Sequence, residues 1–221
     1  MTPAVDDGGA VGMEQAQLAS HIHAVRVDGD LVLLDLERDD YLLLEHCRDV
    51  EVRGNSVRGP LEILIQLAAD ELLHSGKVAQ DRREPPCLPS LTLRPAAPVA
   101  LKASDVAVFA GLWCAVASRR PTLQRIQRRV AGRQGTRHDL EAIAARVEIF
   151  RQLLPAAPWT GACLLQTELL LRFLNAAGLD AEWVFGVRAW PFLAHCWLQV
   201  GDVCVSQSSE TLAMYRPIWS I

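Results

Sequence analysis

The chain has 221 residues, of which 50% are hydrophobic and 22% are charged, and its net charge at pH 7 is −4. That length allows one large domain or two small ones, and the hydrophobic fraction is ample for a core. The acidic balance gives no electrostatic reason to expect nucleic-acid binding. No apolar stretch approaches the roughly 20 residues of a membrane span. Residues 1–12 also lack the basic start and apolar run of a signal peptide.

The six cysteines include no Cys-x-x-Cys pair. In a chain this long that pattern predicts neither a disulfide framework nor a zinc site, so no metal is expected. A reducing compartment fits these cysteines best, and we expect a cytoplasmic protein.

The first third of the chain predicts a small module of three strands and a helix, over residues 19–80. A poorly ordered tail, residues 1–18, precedes it. Two apolar runs flank Asp28-Gly29, which is a strong hairpin signal, and a second turn at residues 39–40 leads into a third strand, residues 40–44. Pro60 is well placed to open a helix that continues to Leu73, and Gly76 is its expected stop.

Five prolines in residues 81–98 favour an interdomain linker. Beyond it, residues 99–221 predict an α+β domain in which a helix is followed by an antiparallel meander. Helices are expected near 101–118 and 139–153, the second capped by Asp139, and a third ends at Gly178. Strands are expected at 181–187, 193–200 and 203–208.

Seven arginines lie close together between the first and second of these helical regions. They are Arg119, Arg120, Arg125, Arg128, Arg129, Arg133 and Arg137. A solvated helical face and a docking surface for an acidic partner both explain them.

Cys163 and His195 form the candidate catalytic pair. If Thr160 caps the third helix, Cys163 lies in the first helical turn, where free N–H groups and the helix dipole stabilise a thiolate. Gly161 and Ala162 leave the sulfur accessible, and nearby N–H groups are suited to hold an oxyanion. His195 lies within a strand, which fixes its backbone close enough to act as the base.

Each residue also has a structural interpretation, because single cysteines and histidines are more often buried than catalytic. The joint placement of a cysteine at a helix start and a histidine on a following strand favours catalysis. The remaining cysteines lack a comparable setting; they are Cys47, Cys87, Cys114, Cys196 and Cys204. Strand alternation predicts that Cys196 faces the core.

A third residue must orient the imidazole of His195, and the sequence leaves its identity open. A two-residue turn after the strand pairs His195 with Ser208, whereas a three-residue turn brings Gln207 and Ser209 to its face. Gln207 is able to accept a hydrogen bond but carries no charge.

Two segments carry a family resemblance. Residues 186–201 read Gly-Val-Arg-Ala-Trp-Pro-Phe-Leu-Ala-His-Cys-Trp-Leu-Gln-Val-Gly, and Cys163 opens a leucine-rich helix followed by Asn-Ala-Ala-Gly-Leu-Asp-Ala at 175–181. Here the chain resembles the lasso-peptide leader peptidases, the maturation proteases of the microcin J25 type. The resemblance implies a transglutaminase-like, papain-like cysteine protease domain after a winged-helix-like module that binds a precursor's leader.

In that family the leader adds as a strand to the module's sheet beside a helix. The resemblance therefore assigns leader binding to the third strand and the helix, at Tyr41, Leu42, Leu43, Leu44, Leu64 and Leu67. Ordinary strand packing is the alternative for Tyr41. The family's third catalytic residue is an aspartate twelve positions after the histidine, where this chain has Gln207. Gln207, Asp202 or Glu210 then orients His195, or the site is inactive.

The resemblance also implies two partners, the lasso-peptide precursor and an asparagine-synthetase-like macrolactam cyclase that uses ATP. The chain has no Gly-x-x-x-x-Gly-Lys-Ser/Thr pattern, so we expect no directly bound cofactor and an ATP requirement only through the cyclase. A leader peptidase is the expected function. Acyl transfer to an amine, and a scaffold that delivers the precursor without catalysis, are the alternatives.

Overall fold

The computed structural model of the protein describes residues 13–74, 84–118, 122–130, 137–157 and 163–221. The predictions that concern residues 1–12, Gly76 and the Thr160 cap lie outside these residues. So do Gly161, Ala162 and three of the clustered arginines, Arg119, Arg120 and Arg133.

Residues 13–74 form two three-stranded antiparallel sheets and one helix. In chain order the elements are β1 (Met13–Gln17), β2 (Ile22–Val27), β3 (Asp30–Asp35), β4 (Asp40–Leu44), β5 (Glu51–Arg53), β6 (Ser56–Pro60) and α1 (Leu61–Ala69). The sheet orders are β1-β6-β5 and β2-β3-β4. The predicted hairpin is confirmed, since Asp28 and Gly29 have φ values of 53° and 97°, as a type I′ turn requires.

The N-terminal part differs from the prediction in three respects. Strands β1, β5 and β6 were not predicted, because their short, mostly polar sequences show no alternating apolar pattern. The predicted tail is wrong for residues 13–18, since β1 pairs with β6 and Leu18 is fully buried. Helix α1 ends at Ala69, before Leu72 and Leu73. With one helix and two sheets in residues 13–74, the winged-helix-like module is not confirmed.

The C-terminal part is an α+β arrangement, as predicted. Its elements are β7 (Leu91–Thr92), α2 (Ala103–Ala117), α3 (Leu123–Val130), α4 (Leu140–Leu153), α5 (Cys163–Asn175), β8 (Glu182–Arg188), β9 (Leu193–Val200), β10 (Val203–Cys204) and β11 (Arg216–Ser220). The strands form one sheet in the order β11-β8-β9-β10-β7. Asp139 caps α4 as predicted, accepting hydrogen bonds of 3.1 Å from the N–H groups of Glu141 and Ala142.

Helix α3 was not predicted. Its Leu123 and Ile126 are buried, whereas Arg125 and Arg128 are exposed, which matches a solvated helical face for these two arginines.

The proline-rich segment, predicted as a linker, supplies an edge of the sheet. Its strand β7 pairs in parallel with β10. Asp202 accepts hydrogen bonds from the Ser90 N–H at 2.7 Å and from the Ser90 hydroxyl. The fully buried Gln199 donates to the Cys87 carbonyl at 3.2 Å. These contacts fix the segment although proline disfavours longer strands within it.

The N-terminal and C-terminal parts share a hydrophobic core. Along β3, Leu31 and Leu33 face the N-terminal core, whereas Val32 and Leu34 join the C-terminal core on the opposite face. The indole N–H of Trp190 also donates to Asp30 across the boundary, at 2.8 Å. The N-terminal part is therefore not an isolated module, because the sheet β2-β3-β4 is packed on both faces.

Candidate active site

One cavity of about 260 Å³ brings together the three residues that the sequence singles out as catalytic. Cys163, His195 and Gln207 all line it. They come from the start of α5, from β9 and from the chain that follows β10. Apolar side chains of α4 and α5 form a further wall, so an acyl group next to the sulfur has an apolar surface to pack against.

Cys163 is the first residue of α5 and is half-buried. Its pKa is lowered to about 4, chiefly by a hydrogen bond with the Cys196 thiol and next by one with His195, against the opposing effect of burial. The positive end of the helix dipole favours the same anionic state. The sulfur is therefore a thiolate near neutral pH, the form that attacks carbonyl groups.

The imidazole of His195 lies between two aromatic rings. Its centroid is 6.5 Å from that of Trp197 and 5.3 Å from that of Tyr215. His195 and Trp197 share a strand face because they are two residues apart. Gly186 pairs with His195 on β8, and a Cβ there would lie 2.7 Å from the Trp197 ring. The Trp197 ring occupies the space beside Gly186, so β8 requires a glycine opposite the His-x-Trp sequence of β9.

Gln207 contacts the Nε2 atom of the His195 imidazole. Its Oε1 lies 3.0 Å and its Nε2 2.8 Å from His195 Nε2. With Nε2 engaged there, Nδ1 is the ring nitrogen left for the Cys163 sulfur. The pKa of His195 is raised, first by the hydrogen bond with Cys163 and then by the one with Gln207, while burial opposes both. The pair therefore favours the thiolate–imidazolium state.

Gln207 reaches His195 because the strand ladder breaks. The turn has two residues, since Val203 pairs with Val200 and Cys204 with Gln199. Backbone pairing continues to Val205, whose N–H donates to the Leu198 carbonyl at 2.8 Å. It then ends, because the Leu198 N–H donates to the Ser206 hydroxyl at 3.1 Å. Strand 203–208 was thus predicted too long.

The break also settles the register that the sequence left open. The two-residue turn does not pair Ser208 with His195, because the chain bends away and presents Gln207. Asp202 is engaged by Ser90, whose hydrogen bonds lower its pKa. Glu210 is exposed in the short 3-10 helix Ser209–Leu212. Neither carboxylate contacts His195 in this structure.

A groove of about 380 Å³ lies where the predicted leader strand would bind. It is lined by Tyr41 and Leu42 of β4 and by residues 69–72, at and just after the end of α1. Among the residues that the structure describes, β4 is an edge strand that pairs with β3 alone. Unpaired edges of this kind accept an added strand.

The other four predicted leader-binding residues face the cores. Leu64 and Leu67 are buried in the N-terminal core and do not line the groove, which corrects their assignment. Leu43 and Leu44 are half-buried and pack against the C-terminal and N-terminal cores, respectively. Successive side chains of β4 point to opposite faces of the strand, and α1 turns Leu64 and Leu67 toward the N-terminal core. The groove therefore lies at the end of the helix.

Tyr41 lines the groove and packs against the C-terminal core. Its ring lies 5.7 Å from that of Phe192 on the segment before β9. Burial raises the pKa of the Tyr41 phenol, with smaller contributions from Cys196, Asp39 and Cys163. Tyr41 therefore packs against the C-terminal part of the chain, a proximity that the sequence alone did not reveal.

Across the residues that the structure describes, no helix is long and apolar enough to cross a bilayer. Within the same ranges, no cluster of three or more His, Cys, Asp or Glu side chains is arranged to bind a metal ion. All six cysteines are free thiols, and Cys196 is buried as predicted.

Comparison with known proteins identifies the family. The sequence profile of the transglutaminase-like superfamily matches residues 106–220, just over half of the chain. The chain therefore belongs to the transglutaminase-like superfamily. It is also 39% identical over 46 residues to the microcin J25-processing protein McjB of Escherichia coli.

That match spans 21% of this chain and 22% of McjB. It confirms the resemblance to a lasso-peptide processing protein over a short segment. No solved structure matches the chain significantly.

Proposed function

We propose that the protein is a cysteine peptidase that binds the leader of a ribosomally made lasso-peptide precursor and cleaves it from the core before macrolactam closure. The observation that supports it most is the Cys163–His195–Gln207 arrangement in one cavity. The superfamily membership and the similarity to McjB agree with it.

In this mechanism the Cys163 thiolate attacks the carbonyl carbon at the leader–core junction. Collapse of the tetrahedral intermediate breaks the C–N bond, and the His195 imidazolium gives its proton to the departing amine of the core. The leader remains as a thioester on Cys163. A water molecule then loses a proton to His195, attacks the thioester and releases the leader with a free carboxylate. The free amine of the core is the group from which a macrolactam forms.

Gln207 orients the imidazole in each step. Its carbonyl accepts from the Nε2–H of the imidazolium at 3.0 Å. Because a neutral amide offsets less positive charge than an aspartate, we expect slower catalysis than a full triad provides. The hydrogen bond still fixes the ring with Nδ1 toward the sulfur.

The leader binds at the free edge of β4, in the groove beside the end of α1. This location is supported by the unpaired strand edge and by Tyr41, which lines the groove and whose ring lies near that of Phe192 on the segment before β9. A strand added there places the residues that follow it near the sulfur. The macrolactam cyclase is the expected partner, ATP is used only there, and a cytoplasmic location suits the free thiols.

The test is to incubate the purified protein with precursor and cyclase and to follow the products by mass spectrometry. The account predicts free leader and free core, their masses summing to precursor plus one water. A leader that carries an added amine would identify acyl transfer. Precursor bound without cleavage would identify a scaffold, the alternative that the neutral Gln207 favours.

The matched variants are Cys163→Ala and Cys114→Ala, the second removing an exposed thiol of α2. Loss of the nucleophile should slow leader release by at least ~10³-fold. Cys114→Ala should cleave at the wild-type rate. Equal rates for both variants would exclude Cys163 as the nucleophile.

A further inference from the structure

Two helix faces form much of the wall of the catalytic cavity. One face of α5 lines it at the spacing of successive helical turns, with Cys163, Gln166, Thr167 and Leu170. A second row with the same spacing comes from the end of α4 and the residue that follows it, and consists of Val147, Phe150, Arg151 and Leu154. A substrate side chain next to the sulfur can therefore pack between the two rows.

Arg151 differs from the rest of this lining. Among the described residues that line the cavity, it is the only one with a permanent charge, and none is an aspartate or a glutamate. The other three members of the α4 row are apolar. A largely apolar cleft with one cation fits a ligand group that has an apolar stem and an anionic end.

The charge of Arg151 is not used within the described part of the chain. Arg146 of the same helix and Arg172 of α5 each form an ion pair with a buried carboxylate. Arg151 has no ion pair or hydrogen bond with any described residue. Even Glu148, one turn earlier on α4, accepts a hydrogen bond from Gln152 at 3.3 Å instead. The guanidinium of Arg151 is therefore available to a ligand.

The size and opening of the cavity indicate the kind of ligand. Arg151 is exposed whereas Phe150 beside it is buried, so Arg151 lies where the cavity opens to solvent. A volume of about 260 Å³ is below that of typical small-molecule pockets, about 300 Å³ or more, and suits a single side chain. A guanidinium presents paired N–H donors that match the two oxygens of a carboxylate. The ligand group is therefore an acidic side chain.

We propose that Arg151 is a specificity-determining residue that binds the carboxylate of a glutamate or aspartate at the last position of the leader. The carbonyl that Cys163 attacks belongs to this leader residue, so its side chain begins next to the reacting carbon. Its methylene groups pack against the apolar row of α4, and its carboxylate binds Arg151. This inference deepens the proposed peptidase function and rests on it for the identity of the substrate.

The experiment compares three precursors that differ only in the last leader residue, which is Glu, Gln or Lys. Glu and Gln have nearly the same shape, so the ratio of their kcat/KM values isolates the charge. The wild-type chain should prefer Glu over Gln about five- to tenfold and should cleave the Lys precursor most slowly. Added NaCl should reduce the preference, because salt screens charges that are exposed to solvent.

Substitutions of Arg151 should change the preference in a defined order. Arg151→Gln should cleave the Glu and Gln precursors at equal rates. Arg151→Lys keeps the charge without the paired donors and should retain part of the preference. Arg151→Glu should invert it in favour of Lys. The control is Arg128→Gln, which removes an exposed arginine of α3 that does not line the cavity and should keep the wild-type ratio.

A wild-type chain that does not distinguish Glu from Gln, or an Arg151→Gln variant that keeps the wild-type ratio, would overturn the proposal and leave the peptidase function standing. Binding of the same precursors to the Cys163→Ala chain, measured by fluorescence anisotropy, separates recognition from cleavage. If the Glu precursor binds most tightly but the wild type releases no leader, the peptidase function fails and the recognition by Arg151 stands. A thermal melt of every variant checks that the fold is intact.

Discussion

Gln207 Oε1 lies 3.0 Å from His195 Nε2, so an amide holds the imidazole where a carboxylate would hold it more strongly. Gln207→Ala removes a hydrogen bond that raises the pKa of His195. We expect leader release to slow about five- to tenfold, since one hydrogen bond is lost without a buried charge being stranded. The alkaline limb of the pH–rate profile should also move to lower pH.

Gln207→Asp is the complementary variant. A carboxylate beside the ring favours the imidazolium, so the alkaline limb should move to higher pH than in the wild type. Steady-state rates over a pH series measure both effects. Identical profiles for the Ala, Asp and wild-type forms would show that Gln207 does not orient His195.

The pH dependence of kcat/KM should be bell-shaped. The rate rises with pH as Cys163 ionises, with an acid limb at about 4 because that pKa is lowered. It falls at higher pH, as His195 loses its proton through a pKa raised above its usual value. Because the two groups interact, the measured limbs belong to the pair. A rate that increases only above neutral pH would instead indicate an ordinary thiol that a separate base deprotonates.

Gly186→Ala tests the packing beneath His195. The new Cβ would lie 2.7 Å from the Trp197 ring, and we expect a loss of about 1–3 kcal/mol in the free energy of unfolding. Gly111→Ala in α2 is the matched control, because nothing lies within 4 Å of its Cβ. It should stabilise the fold by about 0.5–1 kcal/mol. Urea denaturation measures both, and an unaffected Gly186→Ala would contradict the close contact.

Leader binding should depend on Leu42 at the edge of β4. Leu42 is 38% exposed and lines the groove, so Leu42→Asp should raise KM for the precursor about tenfold with little change in kcat. Leu61→Asp, at a 53% exposed position that does not line the groove, is the control. If both variants bind the precursor as the wild type does, the leader binds elsewhere.

Short sequence patterns predicted most elements around the catalytic residues, but they missed three of the six strands in residues 13–74. The strands around His195 and the cap at Asp139 follow from short patterns in the chain. The position of Gln207 depends on a break in the ladder at Ser206, which no periodicity encodes. Strands β1, β5 and β6 are polar and short, so only tertiary pairing defines them. The packing of Tyr41 against the C-terminal core requires that β4 lie next to the C-terminal part, a long-range arrangement.

Competitive alkylation of the full-length chain tests most directly whether Cys163 is the activated nucleophile. Only thiolates react, so Cys163, with a pKa lowered to about 4, should be modified at a nearly constant rate between about pH 5.5 and 7. The exposed thiols of Cys87 and Cys114 are the internal controls, with which the rate of Cys163 is compared at each pH. His195→Ala should shift the Cys163 profile to higher pH, because it removes one of the interactions that lower the pKa of Cys163. A wild-type Cys163 that follows Cys87 and Cys114 across this range would contradict the thiolate–imidazolium pair.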